Sequence, residues 1–155
     1  MEVNINLIVA IIGGTITISS FFITRYLERK KEIELEIRNM KIPIYVEFFD
    51  FYFKVIFGNK VGKSLEQDEM AVFFREFHQK AIIWFPEDVL KIYIEWRALL
   101  VKYSEENNML IFKELIVLNE LLMKKMRQDI GHSNKGIKKG DLSSLFINDI
   151  KKIIN

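Results

Sequence analysis

Between Ile5 and Ile23 the chain reads INLIVAIIGGTITISSFFI, nineteen positions without one charged side chain. Wound as an α-helix at ~1.5 Å per residue, that run matches the ~30 Å hydrocarbon core of a bilayer. Asn6, the threonines and the serines weaken the signal without cancelling it. Glu2 is the only charge ahead of the run, while Arg25, Arg29, Lys30 and Lys31 follow it, mixed with Glu28 and Glu32. Basic residues collect on the cytoplasmic side of a span. The expectation is therefore a single-pass protein of the inner (cytoplasmic) membrane, with a short N-terminus outside and the C-terminal domain in the cytoplasm. A cleaved signal peptide would carry positive charge before the apolar run and small residues after it. Here the charge lies on the other side, and Phe21-Phe22-Ile23 is bulky. A buried core helix is the remaining alternative, but it would be unusually long and uniformly apolar for a small domain.

Small residues recur within the run. Ala10 and Gly14 are four apart, as are Gly13 and Thr17, and Thr17 leads on to Ser20. Such spacing lets helix backbones approach closely in lipid, where packing drives association. Ala10, Gly13, Gly14, Thr17 and Ser20 are thus the expected self-association face, and a homo-oligomer the expected state. A stripe of glycine and hydroxyls also suits a narrow pore, although no ring of charge supports ion selectivity.

The remainder has enough apolar material for a packed core: half of all 155 residues are hydrophobic, thirteen of them phenylalanine. Wholesale disorder is excluded on that count. Twenty-three basic against twenty-one acidic residues leave a formal charge of +2, too balanced for a dedicated nucleic-acid binder. With no cysteine, disulfides and thiolate zinc sites are ruled out.

Helical periodicity dominates beyond the span. Residues 25–42 read as a juxtamembrane helix with Tyr26, Ile33, Ile37 and Met40 on one stripe. Pro43 predicts a break or kink, which bounds three parts: span 1–24, juxtamembrane helix 25–42, bundle 43–155. From Pro43 to Phe57, Glu47, Asp50 and Lys54 share one face; Tyr45, Phe48, Phe49, Tyr52 and Ile56 share the opposite, core face. Ser64 and Gln67 resemble a capping box that starts the next helix near Leu65. That helix sets His78 beside Phe74, Phe77, Ala81 and Phe85. With no partner acid or second ligand in view, His78 reads as an edge-of-core residue rather than a catalyst. Pro86-Glu87-Asp88 starts another helix, with Lys91, Glu95, Ala98 and Lys102 outward and Leu90, Tyr93, Ile94, Trp96, Leu100 and Tyr103 inward; Asn107-Asn108 ends it. The following helix carries Ile111, Leu115, Leu118, Leu122 and Met126 at three-four spacing. No strand alternation is evident. The fold class expected is all-α, a single N-terminal transmembrane helix followed by an up-and-down cytoplasmic helical bundle.

GHSNKGIKKG, residues 131–140, invites comparison with a phosphate-binding loop. Gly131 and Gly136 have the right separation, but Ile137 and Lys138 stand where lysine and a hydroxyl are required, and a helix rather than a strand precedes. The stretch reads instead as a connection. Gly131 closes one helix in the left-handed conformation, and Asp141 caps a last helix, LSSLFINDIKKII. A basic loop of this kind also suits lipid phosphates or an acidic partner.

The run LLMKKMRQDIGHSNKGIKKGDLSSLFIND resembles the C-terminal end of a family of bacterial and prophage single-span membrane proteins. Their cytoplasmic helical domain ends in Arg-x-Asp-(Leu/Ile)-Gly, here Arg127, Asp129, Ile130 and Gly131. Pro43 and Tyr45 and the helix pair around IIWFPEDVLKIYIEWRALL belong to the same resemblance, with Phe85-Pro86 replacing the commoner Gly-Ser. It implies no catalytic residues. Arg127 and Asp129 are either a bundle-end ion pair or, with His132, Lys135, Lys138 and Lys139, a partner- or ligand-reading site.

Two functions follow as expectations. The first is a membrane-anchored binding or regulatory module that engages the bilayer and another protein. The resemblance alone sets it in phage defence or superinfection exclusion. The second is an oligomeric effector that breaches the membrane on binding a ligand such as a nucleotide second messenger. No enzyme, cofactor, metal or nucleic-acid partner is expected: His78 and His132 are far apart, and no nucleophile or acid pair presents itself.

Overall fold

The computed structural model describes residues 4–58, 67–148 and 150. Four α-helices account for most of them: α1 (Ile5–Gly58), α2 (Gln67–Trp84), α3 (Glu87–Glu106) and α4 (Met109–Asp129). A 3-10 turn at Ser143–Leu145 follows. No strand occurs among the described residues. The chain divides into two compact units, Met1–Met40 and Lys41–Asn155.

Helix α1 is continuous for 54 residues and contains Pro43. The break expected there does not occur. Proline removes one helical hydrogen bond, the one to the Asn39 carbonyl, and both residues are solvent-exposed, so water can take the place of the missing donor. The segments expected as span, juxtamembrane helix and first bundle helix are one helix, and the boundary between the two units falls inside it.

The first unit is α1 up to Met40. Every described side chain in it is exposed. Between residues 5 and 23 these include Ile5, Ile8, Val9, Ile11, Ile12, Ile16, Ile18, Phe21, Phe22 and Ile23, each at least 42% exposed. This helix is long and apolar enough to cross a membrane. The expected stripe of Tyr26, Ile33, Ile37 and Met40 is exposed as well.

The second unit packs the rest of α1 and helices α2 to α4 around an aromatic core. Phe48 lies at its centre, fully buried, with its ring 5.1 Å from that of Trp96, 5.6 Å from Phe77 and 6.2 Å from Tyr93. Edge-to-face and tilted pairs at such separations satisfy the ring quadrupoles as well as burying area. The core face of α1 is wider than its periodicity implied. Phe51 is buried too, stacked on Phe73 at 3.7 Å between centroids, because α2 covers that side. Lys80 of α2 bonds Glu47 of α1 at 2.7 Å across the same junction.

Helices α3 and α4 pack against each other and are joined by two residues. Asn107 adopts the left-handed conformation at φ 47°, its amide donating to the Tyr103 carbonyl; Asn108 then caps α4 by accepting from the Leu110 amide at 2.8 Å. Asparagine tolerates the first geometry better than most residues and is a favoured N-cap in the second. Lys91, Glu95, Ala98 and Lys102 are exposed, as their spacing implied, but so is Ile94, at 58%. Helix α2 buries Phe74, Phe77 and Ala81 as expected, with Phe85 buried just beyond its end. Ser64 of the expected capping box lies outside the described residues.

Candidate functional site

Two regions carried the expected site residues: the apolar segment of α1 and the end of α4 with the loop after it.

In the first, Ala10, Gly13, Gly14, Thr17 and Ser20 are all exposed. A Cβ built on Gly13 or Gly14 meets nothing within 4 Å. Thr15 and Thr17 donate their hydroxyls to the Ile11 and Gly13 carbonyls at 2.8 Å. Both hydroxyls are therefore satisfied inside the helix and place no demand on water.

At the other end, Arg127 and Asp129 do not pair with each other. Asp129 instead holds α4 against α1. Its carboxylate accepts from Lys41 Nζ at 2.9 Å and from the Tyr45 hydroxyl at 2.6 Å, with the charged side chains only 13% and 15% exposed. Charge-assisted bonds in such partial burial are among the stronger polar contacts. The reason is register. Residues two apart on a helix point in different directions, so Asp129 faces α1 while Arg127 turns to the loop. There Arg127 Nε donates to Asn134 Oδ1 at 3.4 Å, and the Asn134 amide donates to the Lys124 carbonyl at 2.7 Å.

The loop itself is tied down by a residue the sequence did not single out. Glu120 is 4% exposed. Its carboxylate accepts from the Gly140 amide at 2.8 and 2.9 Å, from the Ser143 hydroxyl at 3.0 Å and from Lys124 Nζ at 2.7 Å. Lys124 also donates to the Lys138 carbonyl at 2.9 Å. Gly140 has φ 86°; a side chain there would be strained, and the turn is what aims its N–H at the carboxylate. Glu120 shares a face with Ile116 and Met123, at spacings of four and three. A charge on that apolar stripe was the available signal.

Gly131 takes φ 92°, as expected for the residue that closes α4, and the His132 amide donates to the Arg127 carbonyl at 2.9 Å. The last helix does not begin at Asp141. The Asp141 carboxylate accepts from the Lys138 amide at 2.8 Å within a local turn, and a 3-10 turn follows at Ser143–Leu145. Glu120 takes the Gly140 amide and the Ser143 hydroxyl, while the Gly140 carbonyl accepts from the Ser144 amide at 2.9 Å and the Ser143 carbonyl from the Phe146 and Ile147 amides at 3.2 and 2.9 Å. Residues 149 and 151–154 of that expected helix lie outside the described residues.

His132, Lys135, Lys138 and Lys139 are exposed around this pinned backbone. The structure thus gathers the four of them on one ordered loop and assigns Asp129 to holding the bundle together. His78 sits at the edge of the core, half-buried, its ring 5.7 Å from Phe74 and 5.9 Å from Tyr93. Burial, and then the nearby Arg97 charge, lower its proton affinity.

Comparisons with models of protein families, with curated proteins and with solved structures return no match.

Proposed function

We propose that the protein is a membrane-anchored helical binding module. Residues 5–23 sit in the bilayer, and the aromatic bundle is held at the inner surface. The observation that carries this is the exposure of the α1 segment. Ten large apolar side chains between Ile5 and Ile23 have no protein to cover them. At ~1.5–3 kcal/mol for a wholly exposed side chain, and with these 42–74% exposed, leaving them in water forgoes about 9–18 kcal/mol. That is as large as the ~5–15 kcal/mol by which a domain is usually stable, so the segment needs an apolar solvent. Threonine hydroxyls closed onto their own helix fit the same solvent. The basic residues Arg25, Arg29, Lys30 and Lys31 favour a cytoplasmic bundle, and the exposed small-residue face favours self-association in lipid. The setting implied by the resemblance, phage defence or superinfection exclusion, is part of the proposal and rests on no structural feature.

The test is fractionation of cells expressing the full chain. It is expected to stay in the membrane pellet through alkaline carbonate washing and to leave it only with detergent. A tag at the C-terminus should be protected from protease added to spheroplasts. Recovery of the intact chain as a detergent-free, compact monomer would sink the proposal. Growth arrest on expression, abolished by Gly13→Leu with Gly14→Leu, would point instead to an effector that breaches the membrane.

A further inference from the structure

Where the end of α1 meets the start of α2, the end of α3 and the start of α4, the bundle encloses a cavity of about 230 Å³. All four helices contribute to its lining, and almost none of the surface that faces it is nitrogen or oxygen. Protein interiors seldom leave a void much larger than a water molecule, and ~150 Å³ of apolar space is enough to hold benzene. The cavity is smaller than the ~300 Å³ at which drug-sized sites begin.

Its walls are braced from behind. Five of the lining residues are aromatic, and each ring is held by another. Phe51 stacks on Phe73 at 3.7 Å, Trp96 lies 5.1 Å from Phe48, Tyr52 lies 5.7 Å from Phe146, and Tyr103 and Phe112 are 5.4 Å apart. Moving any one of them inward gives up such a contact, so the space does not close by collapse. Water is a poor occupant too: a buried water needs about two to four polar partners, and this lining presents next to none. A hydrocarbon needs no partner there and gains by leaving water. Part of the lining reaches the surface, since Val55 is 37% exposed and Met70 and Tyr103 are half-buried, which gives a ligand a way in.

We propose that this cavity binds an uncharged hydrocarbon group no larger than a substituted benzene ring or a short alkyl chain. A charged group is refused, because nothing inside replaces its hydration. This gives the binding module a ligand class. It rests on the binding half of the reading above and not on the membrane half, because every lining residue belongs to the second unit.

The experiment uses the full chain in lipid nanodiscs with Trp84→Phe, which leaves Trp96 as the one tryptophan. Bromobenzene, whose bromine quenches indole fluorescence on contact, is the probe, and 4-bromobenzoate is its charged counterpart. Bromobenzene is expected to quench Trp96 to saturation, and 4-bromobenzoate to bind roughly tenfold or more weakly. Leu100→Phe puts a ring into the cavity and should lose about tenfold or more in affinity for bromobenzene. Val55→Phe narrows the same space from its exposed side and keeps the test decisive even if Leu100→Phe does not fold. Nanodiscs of lipid brominated on its acyl chains, with no added probe, separate two sources of one chemistry. Quenching of Trp96 that toluene relieves assigns the cavity to a lipid tail, and its absence assigns it to a free hydrocarbon. Bromobenzene quenching that does not saturate, with no relievable quenching from the lipid, would reduce the cavity to a packing defect and overturn the proposal. So would 4-bromobenzoate binding as tightly as bromobenzene, or an affinity that both filled variants leave unchanged. Release of the chain by the carbonate wash would sink the membrane reading and leave this result standing, so the two proposals fail separately.

Discussion

Replacing Glu120 by alanine removes the one acceptor that serves three donors at the end of the bundle. The Gly140 amide and the Ser143 hydroxyl lose their partner in a buried setting, and Lys124, 19% exposed, loses its counter-ion while keeping its bond to the Lys138 carbonyl. Removing one member of a buried pair costs about 3–5 kcal/mol, since the groups left behind stay dehydrated. In a domain of this size ~1 kcal/mol shifts the melting temperature by about 4 °C, so a fall of about 12–20 °C is expected. Thermal unfolding of the full chain in detergent, followed by circular dichroism, measures it. Limited trypsin digestion adds a local readout. With the loop pinned, cleavage after Lys135, Lys138 and Lys139 should be slow in the parent and fast in Glu120→Ala. Lys124→Met is the companion variant: it deletes the ion pair but leaves the Gly140 and Ser143 bonds, and should cost less than half as much. A Glu120→Ala protein within ~1 kcal/mol of the parent, with the loop still resistant, would refute the idea that this carboxylate fixes the loop.

Asp129→Asn keeps the shape but weakens the bonds to Lys41 and Tyr45, and should cost about 1–3 kcal/mol in chemical denaturation. Arg127→Gln, which leaves those bonds alone, should cost less. His78 takes up a proton less readily in the folded protein than its ordinary value of 6.5 would imply. The unfolded chain therefore binds protons first as pH falls, and this contribution to stability is complete above about pH 7 and is lost toward acid. Its neighbours are Arg97 and Tyr93 on α3, and Phe74 on its own helix; His78→Gln should flatten the stability profile between pH 7 and 5. Gly13→Leu with Gly14→Leu should lower chemical cross-linking between copies in membranes without moving the melting temperature of the bundle.

Much of the architecture was legible because helical periodicity survives in exposed and buried faces alike. Lys91, Glu95, Ala98 and Lys102 mark the outside of α3 as plainly as Ile111, Leu122 and Met126 mark the inside of α4. Failures came where a local rule met a tertiary fact. Pro43 ends helices in general, but on a solvent-facing stretch one missing amide is tolerable. Gly140-Asp141 looks like a helix start, but the Asp141 carboxylate accepts from the Lys138 amide behind it. Arg127 and Asp129 are close in sequence and diverge in space, so their pairing could not be judged without knowing what α1 brings alongside. Ile94 was counted as core because α3 is apolar over more than half its circumference, and periodicity cannot say how wide a face its neighbours cover.

The two-asparagine link between α3 and α4 has a consequence for how the chain acquires its fold. A connection so short costs little entropy to close, and contacts between neighbouring helices form quickly. Helices α3 and α4 can thus find each other with little help, whereas Phe48 and Phe51, synthesised earlier, have no cover until Phe73, Phe77, Tyr93 and Trp96 emerge. During synthesis the aromatic stretch of α1 is the part of the polypeptide in need of shelter, and it is the place where chaperone dependence or aggregation of weakened variants should originate.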